Sequence, residues 1–137
     1  MDTKKRITNK NKFIMRWVEY FRKLAVRLKT KDENTQIGAI IVGKDKEIVS
    51  TGYNSFPRGL QDNIRERQER PEKYFWFEHA ERNAIYNAAR IGVSTKGCTM
   101  YLSCGIPCSD CARGIINAGI IRIFCERGDI TKGKHWE

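Results

Sequence analysis

Three metal-binding side chains, divided between two segments, constrain the fold of this chain more than any other feature. His79 opens one segment, and Cys108 and Cys111 open the other. Apolar residues at three- and four-residue spacing predict that both segments are helices, over residues 78–91 and 109–118. A chain that uses all three side chains on one metal ion has to bring the starts of these two helices together.

The two cysteines have the spacing of metal ligands. Because they are three residues apart on a first helical turn, Cys108 and Cys111 point the same way. The positive end of the helix is expected to lower the pKa of their thiols, which favours metal ligation. With His79 they offer three nitrogen and sulfur ligands, a set that suits one zinc ion. Three ligands leave a position for water, whose pKa then falls from about 15.7 to about 7.

A carboxylate stands beside this predicted zinc site. Glu81 is two residues from His79, close enough to move the proton of a zinc-bound water without binding the metal. H-x-E followed by P-C-x-x-C is the signature of zinc-dependent nucleobase deaminases. Taken singly, the histidine would be a core or surface residue, and the cysteine pair would be a redox pair or half of a structural zinc site. A structural site needs a fourth ligand, and Cys104 and His135 are candidates without a spacing that pairs naturally with the first three. Taken together at two helix starts, they predict a catalytic zinc.

The other three cysteines are predicted to be reduced packing residues. An odd number of cysteines, five, without a secretory signal argues against disulfides. Cys98 and Cys125 lie in apolar strands. Cys104 precedes the ligand loop, where a small buried thiol is favoured over one that lines the pocket.

The remaining elements alternate along the chain and predict the fold class. They are a helix over about 11–29, a hairpin of strands over 37–42 and 47–53, and strands over 98–103 and 120–125. Residues 54–77 are polar and irregular and are predicted to form a long loop or a short helix, of a length that is usually functional. Since the last two strands flank a helix, they are predicted to pair in parallel. The predicted fold is α/β, a three-layer α-β-α sandwich with a mixed central sheet.

Length and charge predict one domain with a basic end. The length of 137 residues and the hydrophobic content of 40% indicate a single domain, which is expected over 11–137. Residues 1–10 are expected to be a basic N-terminal tail. Residues 1–31 carry 11 Lys and Arg against Asp2 and Glu19, although the net charge of the whole chain is only +10. A solvated helix face and a loose tail are favoured over a nucleic-acid surface, because the rest of the chain is nearly neutral. A cytoplasmic protein without membrane contact is expected.

The sequence resembles the deoxycytidylate deaminases of the cytidine deaminase superfamily over about residues 13–126. The likeness extends beyond the zinc residues to residues 31–39, to Gly52-Tyr53-Asn54, and to residues 79–85 and 107–120. The resemblance implies a cytidine deaminase-like fold and hydrolysis of dCMP to dUMP and ammonia. It implies one zinc ion per subunit on His79, Cys108 and Cys111, with Glu81 as the catalytic acid and base.

The same resemblance implies how substrate and effectors are bound. Asn54 is expected to contact the sugar of the nucleotide, and Lys31 and Asn34 are expected to lie near its phosphate. Family members are commonly homohexamers that dCTP activates and dTTP inhibits at a second nucleotide site, so both nucleotides and a homohexamer are expected partners. The dUMP produced would supply thymidylate synthesis. Ser55 replaces a glycine that relatives commonly have in the loop associated with effector binding.

Two alternative functions stay open. A tRNA- or DNA-editing deaminase shares the chemistry, and the basic N-terminal segment favours it. The loop between Asn54 and His79 resembles that of the free-nucleotide enzymes, so nucleic acid is not the expected partner. A non-catalytic module that binds zinc or a nucleotide is the second alternative, and Glu81 argues against it, since a structural zinc site has no use for that carboxylate.

Overall fold

A mixed sheet with helices on both faces forms the body of the chain. The computed structural model describes residues 3–28, 36–61 and 63–126. Within those ranges the elements are α1 (Thr3–Arg27), β1 (Gly38–Val42), β2 (Ile48–Tyr53), α2 (Arg65–Gln68), α3 (Lys73–Trp76), α4 (Ala80–Ile91), β3 (Thr99–Leu102), α5 (Ser109–Asn117) and β4 (Arg122–Phe124). The four strands lie in the order β2-β1-β3-β4.

Strand directions bring one set of strand ends to a single edge of the sheet. β1 pairs antiparallel with both β2 and β3, and β3 pairs parallel with β4. The parallel pairing predicted for the last two strands is therefore confirmed, with α5 as the connection. Gly38, at the start of β1, is paired with Tyr53 at the end of β2, and Ala39 is paired with Leu102 at the end of β3. The candidate site lies at this edge.

Both faces of the sheet are covered, which is why every residue of β1 is buried. On one face, Phe21 of α1 packs on Tyr101 with ring centroids 4.9 Å apart, next to Ile40. On the other face, Ala84 of α4 and Ile115 of α5 form a second apolar cluster with the sheet. These two clusters confirm the predicted three-layer α-β-α sandwich with a mixed sheet.

Helix α4 lies unusually close to β2. A Cβ atom on Gly52 would lie 2.3 Å from the backbone nitrogen of Ala84, so only glycine fits there. The Ser50 hydroxyl donates a hydrogen bond of 2.7 Å to the carbonyl of Ala84, and the Asn87 amide donates one of 2.7 Å to the carbonyl of Thr51. These contacts fix α4, and hence the residues at its start, against the sheet.

The bounds of helix α1 differ from those that the sequence predicts. Helix α1 begins at Thr3 and ends at Arg27, whereas the periodicity predicted about 11–29. Apolar spacing marks only the buried part of a helix, and no glycine or proline interrupts residues 3–27. The division between tail and domain at residue 10 stays a prediction.

Two single-turn helices, α2 and α3, interrupt the polar stretch 54–77. No helix in the described ranges has the length and apolarity to cross a membrane.

Candidate metal centre and substrate pocket

The first candidate ligand lies where α4 begins. His79 is the N-cap residue of α4, and its backbone N–H donates to Oε1 of Glu78 at 3.0 Å. The carboxylate of Glu78 also lies 2.6 Å from the guanidinium of Arg82, one turn further along. Glu78 and Ser55 exchange two backbone hydrogen bonds of 2.8 and 3.1 Å. Glu78 is therefore held by contacts with both Arg82 and Ser55, which fixes the backbone position of His79.

The other two candidate ligands lie in the first turn of α5. Cys108 is the N-cap residue, and its Sγ accepts a hydrogen bond of 3.5 Å from the N–H of Cys111. Nδ1 of His79 lies 3.5 Å from Sγ of Cys108 and 3.3 Å from Sγ of Cys111. The two helix starts thus meet, as use of one metal ion by all three side chains requires.

The spacing of these atoms fits a tetrahedral zinc ion. Bonds of about 2.0 Å to nitrogen and 2.3 Å to sulfur set nitrogen and sulfur ligands about 3.5 Å apart at tetrahedral angles. The three ligand atoms lie within 4.8 Å of one another, and within the described part of the chain they are the group that could hold a metal. Cys104 is not in this group, and His135 lies outside the described residues. Three ligands fit zinc with one position open for water.

Glu81 lies just inside α4 and is buried, with 4% of its surface exposed. It lines a cavity of about 270 Å³ together with His79 and Cys108. The wall of this cavity, named the substrate pocket below, also includes Asn54 and Cys104, which follow β2 and β3 at the shared edge of the sheet. A carboxylate in a pocket wall beside three metal ligands is well positioned for proton transfer.

Cys104 contacts Glu81. Its Sγ lies 3.9 Å from Oε1 of Glu81. Burial, and next the negative charge of Glu81, raise the pKa of the Cys104 thiol to about 12. Cys104 packs against the core, as predicted, but it also lines the substrate pocket, the role that the sequence favoured less. The packing roles predicted for Cys98 and Cys125 are confirmed.

The thiol of Cys111 corrects one expectation. Burial raises the pKa of Cys111 well above its usual range, and the charge of Glu81 raises it further. The expected lowering by the helix N-terminus is wrong for Cys111, because its residue is 0% exposed and desolvation outweighs the helix dipole. A metal ion that binds here has to displace a proton, so the charge of the metal itself produces the thiolate.

The predicted substrate-binding residues are only partly described. Asn54 is buried at 7% exposure and lines the substrate pocket. Its Oδ1 accepts a hydrogen bond of 2.9 Å from the N–H of Ile37, so the side chain ties the end of β2 to the start of β1. Lys31 and Asn34 lie outside the described residues, and the phosphate contact expected of them stays a prediction.

Several residues of the substrate pocket were missed by the sequence analysis. Arg70 and Lys73 come from the polar stretch before α4, Phe77 follows α3, and Ile106 precedes the cysteine turn. No motif or spacing singles them out, because their positions depend on how residues 54–77 fold. The one available signal was the charged and aromatic composition of that stretch.

The fold and the site together define a class of protein. A helix-covered mixed sheet with a histidine and two cysteines at two helix starts, beside a buried glutamate, is the arrangement of the zinc-dependent deaminases. Residues 15–127 match the family described as "Cytidine and deoxycytidylate deaminase zinc-binding region". The chain belongs to the cytidine and deoxycytidylate deaminase family.

Individual relatives place the chain within this family. It is 40% identical over 117 residues to human deoxycytidylate deaminase, which covers 80% of this chain and 64% of the relative. It is 39% identical over 114 residues to an uncharacterized deaminase of Aliivibrio fischeri, with 82% of this chain and 74% of the relative covered. The chain thus spans about two thirds or less of the curated deoxycytidylate deaminases that it matches, 64% for the human protein.

A solved structure agrees with the fold. The dCMP deaminase of cyanophage S-TIM5, crystallised with dCMP and dUMP, superposes with a TM-score of 0.57 at 25% identity. The superposition covers 90% of this chain and 81% of the cyanophage chain. The likeness therefore extends over nearly the whole sandwich and is not confined to the zinc motif.

Proposed function

We propose that this chain hydrolyses dCMP to dUMP and ammonia, with one zinc ion per subunit held by His79, Cys108 and Cys111. The observation that carries the proposal is that two members of this ligand group, His79 and Cys108, line one pocket with buried Glu81. The relatives named deoxycytidylate deaminase, and the cyanophage structure with dCMP and dUMP, support the choice of substrate.

Glu81 acts as the single acid and base of the proposed reaction. Zinc, when bound, lowers the pKa of a water ligand to about 7, so that hydroxide forms near neutral pH. Glu81 accepts the proton of that water and delivers it to N3 of the pyrimidine as the oxygen bonds to C4. Glu81 next takes the remaining proton from the oxygen on C4 and delivers it to the exocyclic amino group, the C4–N bond breaks, and ammonia leaves as C4=O forms. One water is consumed for each ammonia released.

Other residues bind and orient the nucleotide in this proposal. Asn54 contacts the sugar, and its position in the pocket wall, fixed by the hydrogen bond from Ile37, supports that role. Lys31 and Asn34 lie near the phosphate, a role supported by the family resemblance alone. The dUMP product supplies thymidylate synthesis, and the enzyme works in the cytoplasm.

Ammonia release from purified protein of known zinc content tests the proposed function. The substrates are dCMP, CMP, dCTP, deoxycytidine and a tRNA, each compared with a protein-free control. Preferential turnover of dCMP is expected. Turnover of the tRNA alone would replace the proposal with an editing function, and stoichiometric zinc without turnover of any substrate would indicate a binding module.

We also propose regulation by dCTP and dTTP at a second cavity. This cavity has a volume of about 550 Å³ and carries Arg58 and Arg90 in its wall, which suits an anionic ligand. Asn83, also in the wall, donates hydrogen bonds of 2.8 Å to the carbonyl of Tyr53 and 3.2 Å to the hydroxyl of Ser55. A ligand in the second cavity therefore contacts the strand end that leads into the substrate pocket.

Titration of dCMP turnover with dCTP and dTTP tests this regulation. Activation by dCTP and inhibition by dTTP are expected, and Arg90→Ala is expected to weaken both responses while Arg122→Ala, an exposed arginine on β4, leaves them unchanged. Wild-type turnover that neither nucleotide changes would remove the effector proposal and leave the deaminase proposal intact.

A homo-oligomer, with a hexamer as the expected size, completes the proposal. The outer face of α4 and edge strand β2 expose apolar side chains that a subunit contact would cover, namely Ile91 at 66%, Tyr86 at 51% and Ile48 at 51% exposure. Light scattering at several concentrations measures the mass. Six times the 15.9 kDa of the chain is expected, and a mass of one chain at all concentrations would contradict it.

A further inference from the structure

We infer that Cys104 is a positioning residue for Glu81, because its S–H donates a hydrogen bond to the carboxylate and holds Oε1 in the orientation that proton transfer needs. The inference rests on the proposed function and adds a residue that acts through Glu81 without reacting itself. Both residues line the substrate pocket, together with His79 and Cys108.

The contact between the two side chains is direct. Sγ of Cys104 lies 3.9 Å from Oε1 of Glu81, close enough for a hydrogen bond from sulfur, whose radius is larger than that of oxygen. Glu81 is buried, and Cys104 is partly buried beside it. A hydrogen bond at a buried carboxylate is stronger than the same bond in water, because the surroundings screen it less. The thiol therefore influences where the carboxylate points.

The chemistry of the thiol makes it a donor near neutral pH. Burial, and next the charge of Glu81, raise the pKa of Cys104 to about 12, so the sulfur keeps its hydrogen. An S–H group is a weak donor, but a hydrogen bond to an ionised acceptor is about twice as strong as one to a neutral acceptor. Cys104 thus suits Glu81 in its carboxylate form, which is the form that accepts the proton of water.

A second acceptor lies beside the same thiol. Sγ of Cys104 is 3.5 Å from the carbonyl oxygen of Gly105. Because a thiol has one hydrogen, it donates to Glu81 or to Gly105 at any moment. When Glu81 turns to deliver its proton to the pyrimidine, the S–H can turn to the Gly105 carbonyl and keep a partner. The thiol therefore orients the carboxylate without trapping it.

Backbone contacts fix the position of Cys104. The N–H of Ser103 donates to the carbonyl of Gly38 at 3.0 Å, and the hydroxyl of Ser103 accepts a hydrogen bond of 2.9 Å from the N–H of Gly38. The carbonyl of Cys104 accepts a hydrogen bond of 2.8 Å from the N–H of Glu126. The thiol is thus presented by a segment tied to the start of β1 and to the chain after β4, while Glu81 is presented by α4.

Packing alone is the competing explanation for Cys104, since the residue also lies against the core. Cys98 provides the matched control, because it belongs to the same apolar cluster but is not part of the pocket wall. Cys98→Ala removes a thiol from the core and leaves Glu81 untouched. At position 104 itself, serine keeps a donor and alanine does not, so the pair separates hydrogen bonding from packing.

Steady-state kinetics of the zinc-loaded variants on dCMP test the inference. Cys104→Ala is expected to lower kcat about 3- to 10-fold, the effect of losing one hydrogen bond, with KM within about twofold of wild type. Cys104→Ser and Cys98→Ala are expected to keep kcat within about twofold. Zinc content and thermal unfolding of each variant identify a metal or folding defect. An unchanged kcat in the alanine variant, or a loss as large in the serine variant, would overturn the inference.

Infrared difference spectra of the S–H stretch give a readout that a packing role does not move. Subtracting the spectrum of Cys104→Ser protein isolates the band of Cys104, and the same subtraction is made with Glu81→Gln present in both proteins. The band is expected to move to higher frequency in Glu81→Gln, since a neutral amide is a weaker acceptor than a carboxylate. A band that does not move would overturn the inference, and this result holds even if Cys104→Ala does not fold.

The two measurements separate this inference from the proposed function. A wild-type protein that turns over none of the substrates would remove the proposed function and, with it, a role for Cys104 in proton transfer. Turnover of dCMP by wild type, together with an unmoved S–H band, would overturn only the inference and leave the deaminase proposal intact.

Discussion

At the scale of single residues, Glu81 is a buried carboxylate beside the candidate metal ligands. It is buried at the start of α4 and lines a pocket together with two of the candidate metal ligands, His79 and Cys108. The helix N-terminus stabilises its negative charge, and the thiol of Cys104 lies 3.9 Å from its Oε1. Its position supports the proposed role in proton transfer.

Glu81→Gln is expected to retain zinc and lose turnover of dCMP by at least about 100-fold, because one positioned acid–base group contributes about 10²–10⁴-fold. The amide keeps the shape of the side chain but cannot carry the proton. Steady-state ammonia release and zinc content are measured together. Activity within tenfold of wild type would contradict the role of Glu81.

Replacing any one of the three proposed ligands, as in His79→Ala, Cys108→Ala or Cys111→Ala, is expected to reduce zinc well below one equivalent per chain. Two remaining ligands do not complete a tetrahedral site. Elemental analysis after dialysis gives the stoichiometry, and Cys125→Ala, which lies away from the ligand group, should keep its zinc. One equivalent in all three ligand variants would refute the ligand set.

The raised pKa of Cys104 predicts that its thiol reacts slowly with alkylating reagents. With its pKa raised to about 12, the thiol stays protonated at pH 8, and alkylation by iodoacetamide is expected to be at least about 100-fold slower than in the unfolded chain. Reaction should accelerate as the pH rises toward 12. Since Glu81 contributes to the raised pKa, Glu81→Gln should accelerate it too. Peptide mass mapping of the zinc-free protein gives the rate at Cys104, and equal rates in the folded and unfolded chain would contradict the prediction.

At the scale of elements, the site depends on how α4 and α5 are seated on the sheet. The missing Cβ of Gly52 allows α4 to approach β2, and the crossover from β3 to β4 directs α5 so that its first turn lies next to the start of α4. The ligands thus come from helix ends that are fixed by packing elsewhere. Changes in that packing are expected to affect metal binding without touching a ligand.

Gly52→Ala is expected to reduce the free energy of unfolding by about 1–3 kcal/mol, because the new methyl group meets the backbone of Ala84 and Ala80. Zinc affinity is expected to weaken as α4 shifts. Gly114→Ala is the control, since a Cβ there has its nearest neighbour at 3.8 Å and alanine favours the helix. Urea unfolding of both variants gives the comparison, and a Gly52→Ala protein as stable as wild type would contradict the close approach.

At the scale of the whole molecule, the sequence predicts the features that depend on residues close together in the chain. The apolar periodicity of α4 and α5 and the order of strands predict the sandwich, and the ligand set follows from two short motifs at helix starts. Lys73 and Arg70 could not be predicted, because their place in the pocket depends on contacts between residues 54–77 and the chain after β2. The start of α1 was missed for a different reason: its first turns carry no apolar spacing.

The meeting of the ligands at two helix starts has a consequence for the stability of the protein in the cell. Because the three donor atoms come together only when α4 and α5 are both docked, an unfolded chain offers no equivalent site, and the free energy of zinc binding adds to that of folding. Thermal unfolding should therefore occur at a lower temperature after chelation, and the temperature should recover when zinc is restored. The amount of folded protein is then expected to follow the supply of available zinc, so that scarcity of the metal removes the protein through proteolysis.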